Sequence, residues 1–284
     1  MKRLIFIFIL ALVLSGCIAP EKADIVATTK PVYDFTVFLC EGTGLSVTQL
    51  ITESVSCLHD YSLSVSQARN LEAADTVVIS GAGMEDFMED LLSERGNVID
   101  SSVNISVLEC AEHHGHDHEH ETDSHIWLAP ENAKKMAQNI CAGLCKTYPD
   151  HAAAFQKNLS ALIEKIDALQ TYAGQTLSEL SCRELVTFHD GFGHMANAFG
   201  LEIAAAIEEE SGSEASAKEL IELITLVEAH NIPAIFVEVN GSTSASGIIA
   251  AETGVKVYSL DMGMDCDYFE MMYRNINTLK EALG

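Results

Sequence analysis

The stretch from Asp150 to Leu180 most constrains the fold of this chain. It holds no strong helix breaker apart from Gly174, and Phe155, Leu159, Leu162, Ile166 and Leu169 recur at spacings of four and three. That period is the apolar stripe of an amphipathic helix, and Tyr172 or Ala173, Leu177 and Leu180 continue it. A single helix over this stretch is about 45 Å long at 1.5 Å per residue; a break near Gly174 gives two shorter ones. The chain on either side has a different rhythm, so residues 149–180 read as a strut between two halves.

In the first half, Asp24–Thr29, Ser46–Ile51 and Asp75–Ser80 read as strands, and Val98–Val107 holds one or two more. Helices are predicted from Pro31 to Cys40, over Ser64–Ala74, over Met84–Glu94 and from Glu131 to about Tyr148. In the second half the strands are Leu185–Phe188, Ile203–Ile207, Ala234–Val239 and Lys256–Leu260. Helices are predicted over Phe192–Phe199, up to about His230, over Ser244–Thr253 and over Asp267–Leu283. Strands alternating with helices predict parallel sheets covered by helices. The rhythm repeats, but no sequence repeat accompanies it.

Residues 1–17 form a processing segment. Lys2 and Arg3 precede the apolar run Leu4–Leu14, which is too short to span a membrane and fits a secretory signal. It ends in Leu14-Ser15-Gly16-Cys17, which resembles the bacterial lipobox, so Cys17 is expected to be lipidated and to become the N-terminus. The expected location is extracytoplasmic, lipid-anchored to the bacterial cell membrane or periplasmic. The net charge of −26 argues against nucleic acid and against electrostatic binding to anionic lipid. Seven cysteines follow Cys17, an odd number that leaves at least one free thiol or an intermolecular partner. Cys141 and Cys145 share a helical face and read as small apolar side chains.

The histidines are of two kinds. His113, His114, His116, His118 and His120 crowd a polar segment with Asp117 and Glu119 and no apolar period. They read as a mobile loop of low metal affinity, a collector or sensor beside a tighter site. His125 instead abuts Ile126-Trp127-Leu128, at the lip of something buried. His59, His189 and Asp261 fall just after predicted strands or in loops of the same kind. The four are spaced by 66, 64 and 72 residues, two in each half. In open α/β sheets ligands bind beyond the carboxyl ends of the strands. Three imidazoles and one carboxylate form a donor set acceptable to Zn²⁺. Binding needs neutral imidazoles, so affinity is expected to fall below about pH 6.5.

Leu58-His59-Asp60-Tyr61-Ser62-Leu63, Ser124-His125-Ile126-Trp127-Leu128, Phe188-His189-Asp190-Gly191-Phe192-Gly193 and Glu252-Thr253-Gly254 with Leu260-Asp261 resemble four landmark segments of one family. It comprises the metal-binding (cluster A-I) solute-binding proteins of ABC transporters. Thr28-Thr29, Tyr33-Asp34-Phe35 and the last helix also match, so the resemblance covers the mature chain in order. It implies an α/β fold of two (β/α) lobes with parallel sheets, residues 18–148 and 181–284, joined by one long rigid helix. It makes His59, His125, His189 and Asp261 the metal ligands and an ABC permease the partner, with the receptor a monomer that binds and does not turn over substrate.

In manganese-type relatives the third ligand position is usually glutamate. His189 there, with the His-rich loop, resembles the zinc importers, and nitrogen donors favour zinc over manganese. The sequence departs from the pattern at Cys57-Leu58 before His59 and at Met262 after Asp261; Cys57 is left out of the ligand set. Asp60, Asp190, Glu238 and Asp265 are candidates to orient the ligand histidines, although capping of a following turn accounts for Asp60 and Asp190 equally well. His151, His194 and His230 read as surface residues. The rivals are a manganese or iron receptor of the same fold and an extracellular zinc hydrolase. The second lacks an HExxH helix and a G-x-S-x-G elbow, and four protein ligands leave no open position for a catalytic water.

Overall fold

The structure is a computed structural model that describes residues 23–53, 58, 61–109, 122–206, 216–239, 241, 243–264 and 266–284. Cys17, Cys57, His59, Asp60, Asp265 and the histidine run 113–120 lie outside the described residues.

The first sheet is built from β1 (Ile25–Ala27), β2 (Val47–Gln49), β3 (Thr76–Ile79) and β4 (Val98–Asp100), in the order β2-β1-β3-β4 with every pairing parallel. A short antiparallel pair, β5 (Leu108–Glu109) and β6 (Thr122–Asp123), follows. The second sheet comprises β7 (Glu184–Thr187), β8 (Glu202–Ala206), β9 (Ala234–Glu238) and β10 (Lys256–Leu260), again wholly parallel, in the order β10-β9-β7-β8. Numbered from its own first strand, each sheet reads 2-1-3-4. The rhythm seen in the sequence is therefore one topology used twice. In each sheet the strand order reverses between the first and third strands, which opens a crevice at their carboxyl ends. β1 and β9 are buried along their whole length, as a sheet covered on both faces requires.

Helices α1 (Lys30–Cys40), α2 (Val65–Ala73), α3 (Glu89–Ser93) and α4 (Pro130–Thr147) belong to the first half. Pro31 sits in the first turn of α1, where its missing N–H costs nothing. Ser64 and Gln67 close a reciprocal capping box at the start of α2. The single helix expected over Met84–Glu94 is instead a 3-10 turn, Asp86–Met88, followed by the short α3. The cause is Glu85, whose carboxylate accepts the backbone N–H of Ser80 and Gly81 and so ties the segment to the end of β3.

The strut is one helix, α5 (Ala152–Thr176), entered through a 3-10 turn at Pro149–His151. Its 25 residues make it about 37 Å long, shorter than the sequence implies because Leu177 ends it. Gly174 lies inside the helix and does not break it. Phe155, Leu162, Ile166, Leu169 and Ala173 are its buried stripe.

The second half adds α6 (Gly193–Phe199), α7 (Ala217–His230), α8 (Ser244–Thr253) and α9 (Tyr268–Leu283). The last helix returns to the first half. Asp34 of α1 accepts the N–H of Tyr268 at 3.0 Å, and the Tyr268 ring meets Phe35 edge-on at 4.8 Å. The Tyr268 hydroxyl donates to the Trp127 carbonyl at 3.1 Å. The strut is thus not the sole link, and one apolar core runs from Ile25 through α5 to Leu283. Cys40, Cys141, Cys145 and Cys182 are free thiols; the sulfurs of Cys141 and Cys145 lie 4.0 Å apart on one face of α4.

Candidate metal centre

His125 is positioned from both sides. Downstream, Ile126, Trp127 and Leu128 form a 3-10 turn that is wholly buried, and Pro130 begins α4, so the backbone that carries the imidazole is fixed by the core. Upstream, Asp123 ends β6. Its Oδ1 accepts the backbone N–H of His125 at 2.9 Å and lies 3.0 Å from the ring Nδ1. The proton of the neutral ring is therefore on Nδ1, and Nε2 is left as a lone-pair donor.

His189 lies two residues beyond β7, at the crevice of the second sheet. Across that crevice, at the end of β9, Glu238 brings Oε1 to 3.4 Å from His189 Nδ1. A carboxylate oxygen thus lies near Nδ1 of both rings. The two rings come from different lobes, yet their centroids are 5.2 Å apart and their planes perpendicular. Gly191 makes that approach possible. A Cβ there would lie 2.5 Å from Met262 Cε, 2.7 Å from His125 Nδ1 and 2.7 Å from His189 Cδ2. Only hydrogen fits.

Asp261 follows β10 and is equally buried. Asn275 of α9 brackets its backbone, accepting the Asp261 N–H at 2.9 Å and donating to its carbonyl at 2.7 Å. Its Oδ1 accepts the Gly263 N–H at 2.6 Å, and its Oδ2 pairs with Arg274 and accepts the Cys266 thiol at 3.4 Å. Met262, the next residue, reaches the histidine junction itself: its carbonyl accepts the Trp127 indole N–H at 2.8 Å. Of the four expected ligands, then, His125 and His189 are brought together, Asp261 adjoins them through Met262, and His59 is outside the described residues. Among the described residues no three His, Cys, Asp or Glu side chains are gathered on one point.

Two surrounding residues correct or extend the sequence reading. His194 is not a surface residue: it is 3 % exposed. It sits in the first turn of α6, which packs against the first lobe. Its Nε2 donates to the Asp123 carbonyl at 3.0 Å, and its Nδ1 accepts from Asn132 at 3.2 Å. Burial pushes its pKa below the ordinary imidazole value, against the pull of the Asp123 charge, so the ring is neutral. Asp123 itself was hidden in an acidic linker; the signal that marks it is the Asp-Ser-His spacing. Burial opposes its ionisation, but the hydrogen bonds it accepts from His125 outweigh that and hold its carboxyl below the usual range. Glu238, read as a possible orienting group, lies beside the candidate ligand His189. His230 is exposed and paired with Glu184 at 2.7 Å.

The crevice of the first sheet is filled differently. Glu85, fully buried, accepts the Thr28 hydroxyl at 2.5 Å and the N–H groups of Ser80 and Gly81 at 2.8 and 2.9 Å. Burial pushes its carboxyl up to about 7.

Residues 25–282 match the family described as zinc-uptake complex component A, periplasmic. The chain is 30% identical over 296 residues to the zinc-binding lipoprotein AdcA of Streptococcus pneumoniae, a match that covers 96% of this chain and 59% of that one. It thus spans about three-fifths of the length of that relative. It is 28% identical to the high-affinity zinc uptake system protein ZnuA of Bacillus subtilis, covering 93% of this chain and 88% of the relative. A crystal structure of ZnuA superimposes with a TM-score of 0.80 at 27% identity, over 93% of this chain and 100% of that one.

Proposed function

This chain belongs to the zinc-uptake complex component A family, and from that membership we propose that it is an extracytoplasmic receptor that captures Zn²⁺ and delivers it to an ABC importer. The observation that carries the reading is the meeting of His125 and His189. One ring comes from each lobe, each has a carboxylate near its Nδ1, and their centroids are 5.2 Å apart. Imidazole nitrogen suits zinc, whereas manganese is better served by carboxylate. His59 and Asp261 complete a four-ligand cage in this reading, with the metal as cargo held between the lobes. Delivery requires a partner permease, and Cys17 supplies the lipid anchor. Residues 113–120 act as a weak collector of zinc, dispensable for the tight site.

The test is a competition titration of the metal-stripped chain from Glu21 onward, with Zn²⁺ and Mn²⁺ followed against a chromogenic chelator. One tight zinc site that manganese does not displace, and that is lost in His189→Ala, is expected. Preferential manganese binding, or a tight site indifferent to His189, overturns the metal or the ligand set. Deletion of His113 to His120 is expected to lower the zinc stoichiometry and leave the tight site unchanged.

A further inference from the structure

The geometry points to Asp123 and His194 as a bridge between the lobes that holds the metal in, with Asp123 positioning His125 through one oxygen and the start of α6 through the other. The inference rests on the zinc-receptor reading and deepens it.

Asp123 is 3 % exposed and belongs to the first lobe. Its Oδ1 is committed to His125, taking both the backbone N–H and the ring Nδ1–H. Its Oδ2 crosses to the second lobe and accepts the backbone N–H of His194 at 3.3 Å. The contact is reinforced in the opposite sense by His194, whose Nε2–H donates to the Asp123 carbonyl at 3.0 Å. Asn132 of α4 donates to the remaining nitrogen of His194 at 3.2 Å, so the neutral ring is fully satisfied by the first lobe. A Cβ on Gly193 would stand 3.0 Å from Asp123 Oδ2, so the absence of a side chain there lets α6 approach this closely.

His189 lies five residues before His194, on the loop that leads into α6. One carboxylate therefore fixes a ligand of the first lobe directly and the loop carrying a ligand of the second through α6. If the lobes part, both bonds between Asp123 and His194 break with them. Each is buried, and a buried donor or acceptor left without a partner is costly. The bridge therefore resists opening of the metal-loaded state and acts on the rate of release.

Asp123→Asn separates the two jobs. Its carbonyl oxygen still accepts both bonds from His125, but its NH₂ faces the His194 N–H, donor against donor. Asp123→Ala removes both. Asn132→Ala is a milder probe of the same bridge, since it removes only the group that orients His194. Zinc release from each loaded protein is followed by stopped flow with excess chelator, equilibrium affinity by competition, and the His125 tautomer by two-dimensional ¹H–¹⁵N NMR of the imidazole.

Asp123→Asn is expected to keep the Nδ1–H tautomer and to release zinc about 10-fold faster, with Asn132→Ala shifted the same way. Asp123→Ala is expected to lose the fixed tautomer and about 10- to 100-fold in affinity. Adding His194→Ala to Asp123→Asn should accelerate release little further, because both changes break one bridge. Release from Asp123→Asn and Asn132→Ala at the wild-type rate overturns the bridge, as does full additivity of the double variant. Absence of a tight zinc site in the wild-type chain overturns instead the receptor reading on which the bridge depends.

Discussion

Trp127, in the turn after His125, donates its indole N–H to the carbonyl of Met262, the residue after Asp261, at 2.8 Å. The bond ties the buried floor beneath one candidate ligand to the backbone beside another, across the lobe boundary. Trp127 has no exposed surface, so the bond is shielded from water. Trp127→Phe keeps most of the apolar volume and deletes the donor, leaving the Met262 carbonyl without it. The expected cost is about 1–3 kcal/mol in stability, read by urea unfolding of the metal-free chain, with zinc affinity reduced in parallel. Unchanged affinity at reduced stability would mean that Met262 does not help to place Asp261.

Gly191 offers a sharper test, because its constraint is local. An alanine methyl there would collide with His125, His189 and Met262 at 2.5–2.7 Å. The side chains that must yield are the two histidines and a flexible methionine, not the sheet. Gly191→Ala is therefore expected to weaken zinc binding by more than about 10-fold through displaced ligands, while the far-ultraviolet circular dichroism stays that of the wild type. Wild-type affinity would show that the rings need not approach this closely to hold the metal.

Gly143 provides the contrasting case, far from the histidines. A Cβ on it would meet the Ile99 side chain at 2.6–2.8 Å, where α4 packs on β4. Overpacking of this kind costs about 1–3 kcal/mol. Gly143→Ala should lower the unfolding midpoint and leave the zinc affinity of the folded fraction unchanged. A matching loss of affinity would mean that strain in the first lobe reaches the site.

The residues explain which features were legible in the sequence. The strut was visible because Phe155, Leu162, Ile166 and Leu169 keep one period over about four turns, and its end was missed because Leu177 and Leu180 prolong the same apolar pattern after the helix has stopped. The strands were visible as short apolar runs, whereas their 2-1-3-4 order was not, since pairing depends on contacts far apart in the chain. β5 and β6 are two residues each, too short for any alternation to show. His125 and His189 stood out by their landmark segments and do meet. His194 was misread because nothing local distinguishes a histidine buried by another lobe from one in solvent. Asp123 and Glu85 were missed for a related reason: a carboxylate satisfied by distant backbone and side-chain donors looks like any acidic surface residue until the fold brings those donors to it.

Glu85 carries the last prediction, a pH dependence whose sign follows from its burial. Its carboxyl titrates at about 7 in the folded chain against 4.5 when exposed. Between those values the folded state keeps a proton that the unfolded state has released, so the unfolded state binds fewer protons and stability falls as pH rises. This contribution is fully present below pH 4.5 and is lost progressively up to about pH 7. Glu85→Gln has no titrating proton. It keeps an acceptor for the Thr28 hydroxyl and the Ser80 N–H but turns a donor toward the Gly81 N–H, so it is expected to be the less stable chain at pH 5. The gap should close by on the order of 2 kcal/mol between pH 5 and pH 7.5, because only the wild type loses stability over that range. Urea unfolding of the two metal-free proteins at both pH values measures it. A gap that does not change with pH would mean that Glu85 is already ionised at pH 5, held so by the N–H groups of Ser80 and Gly81.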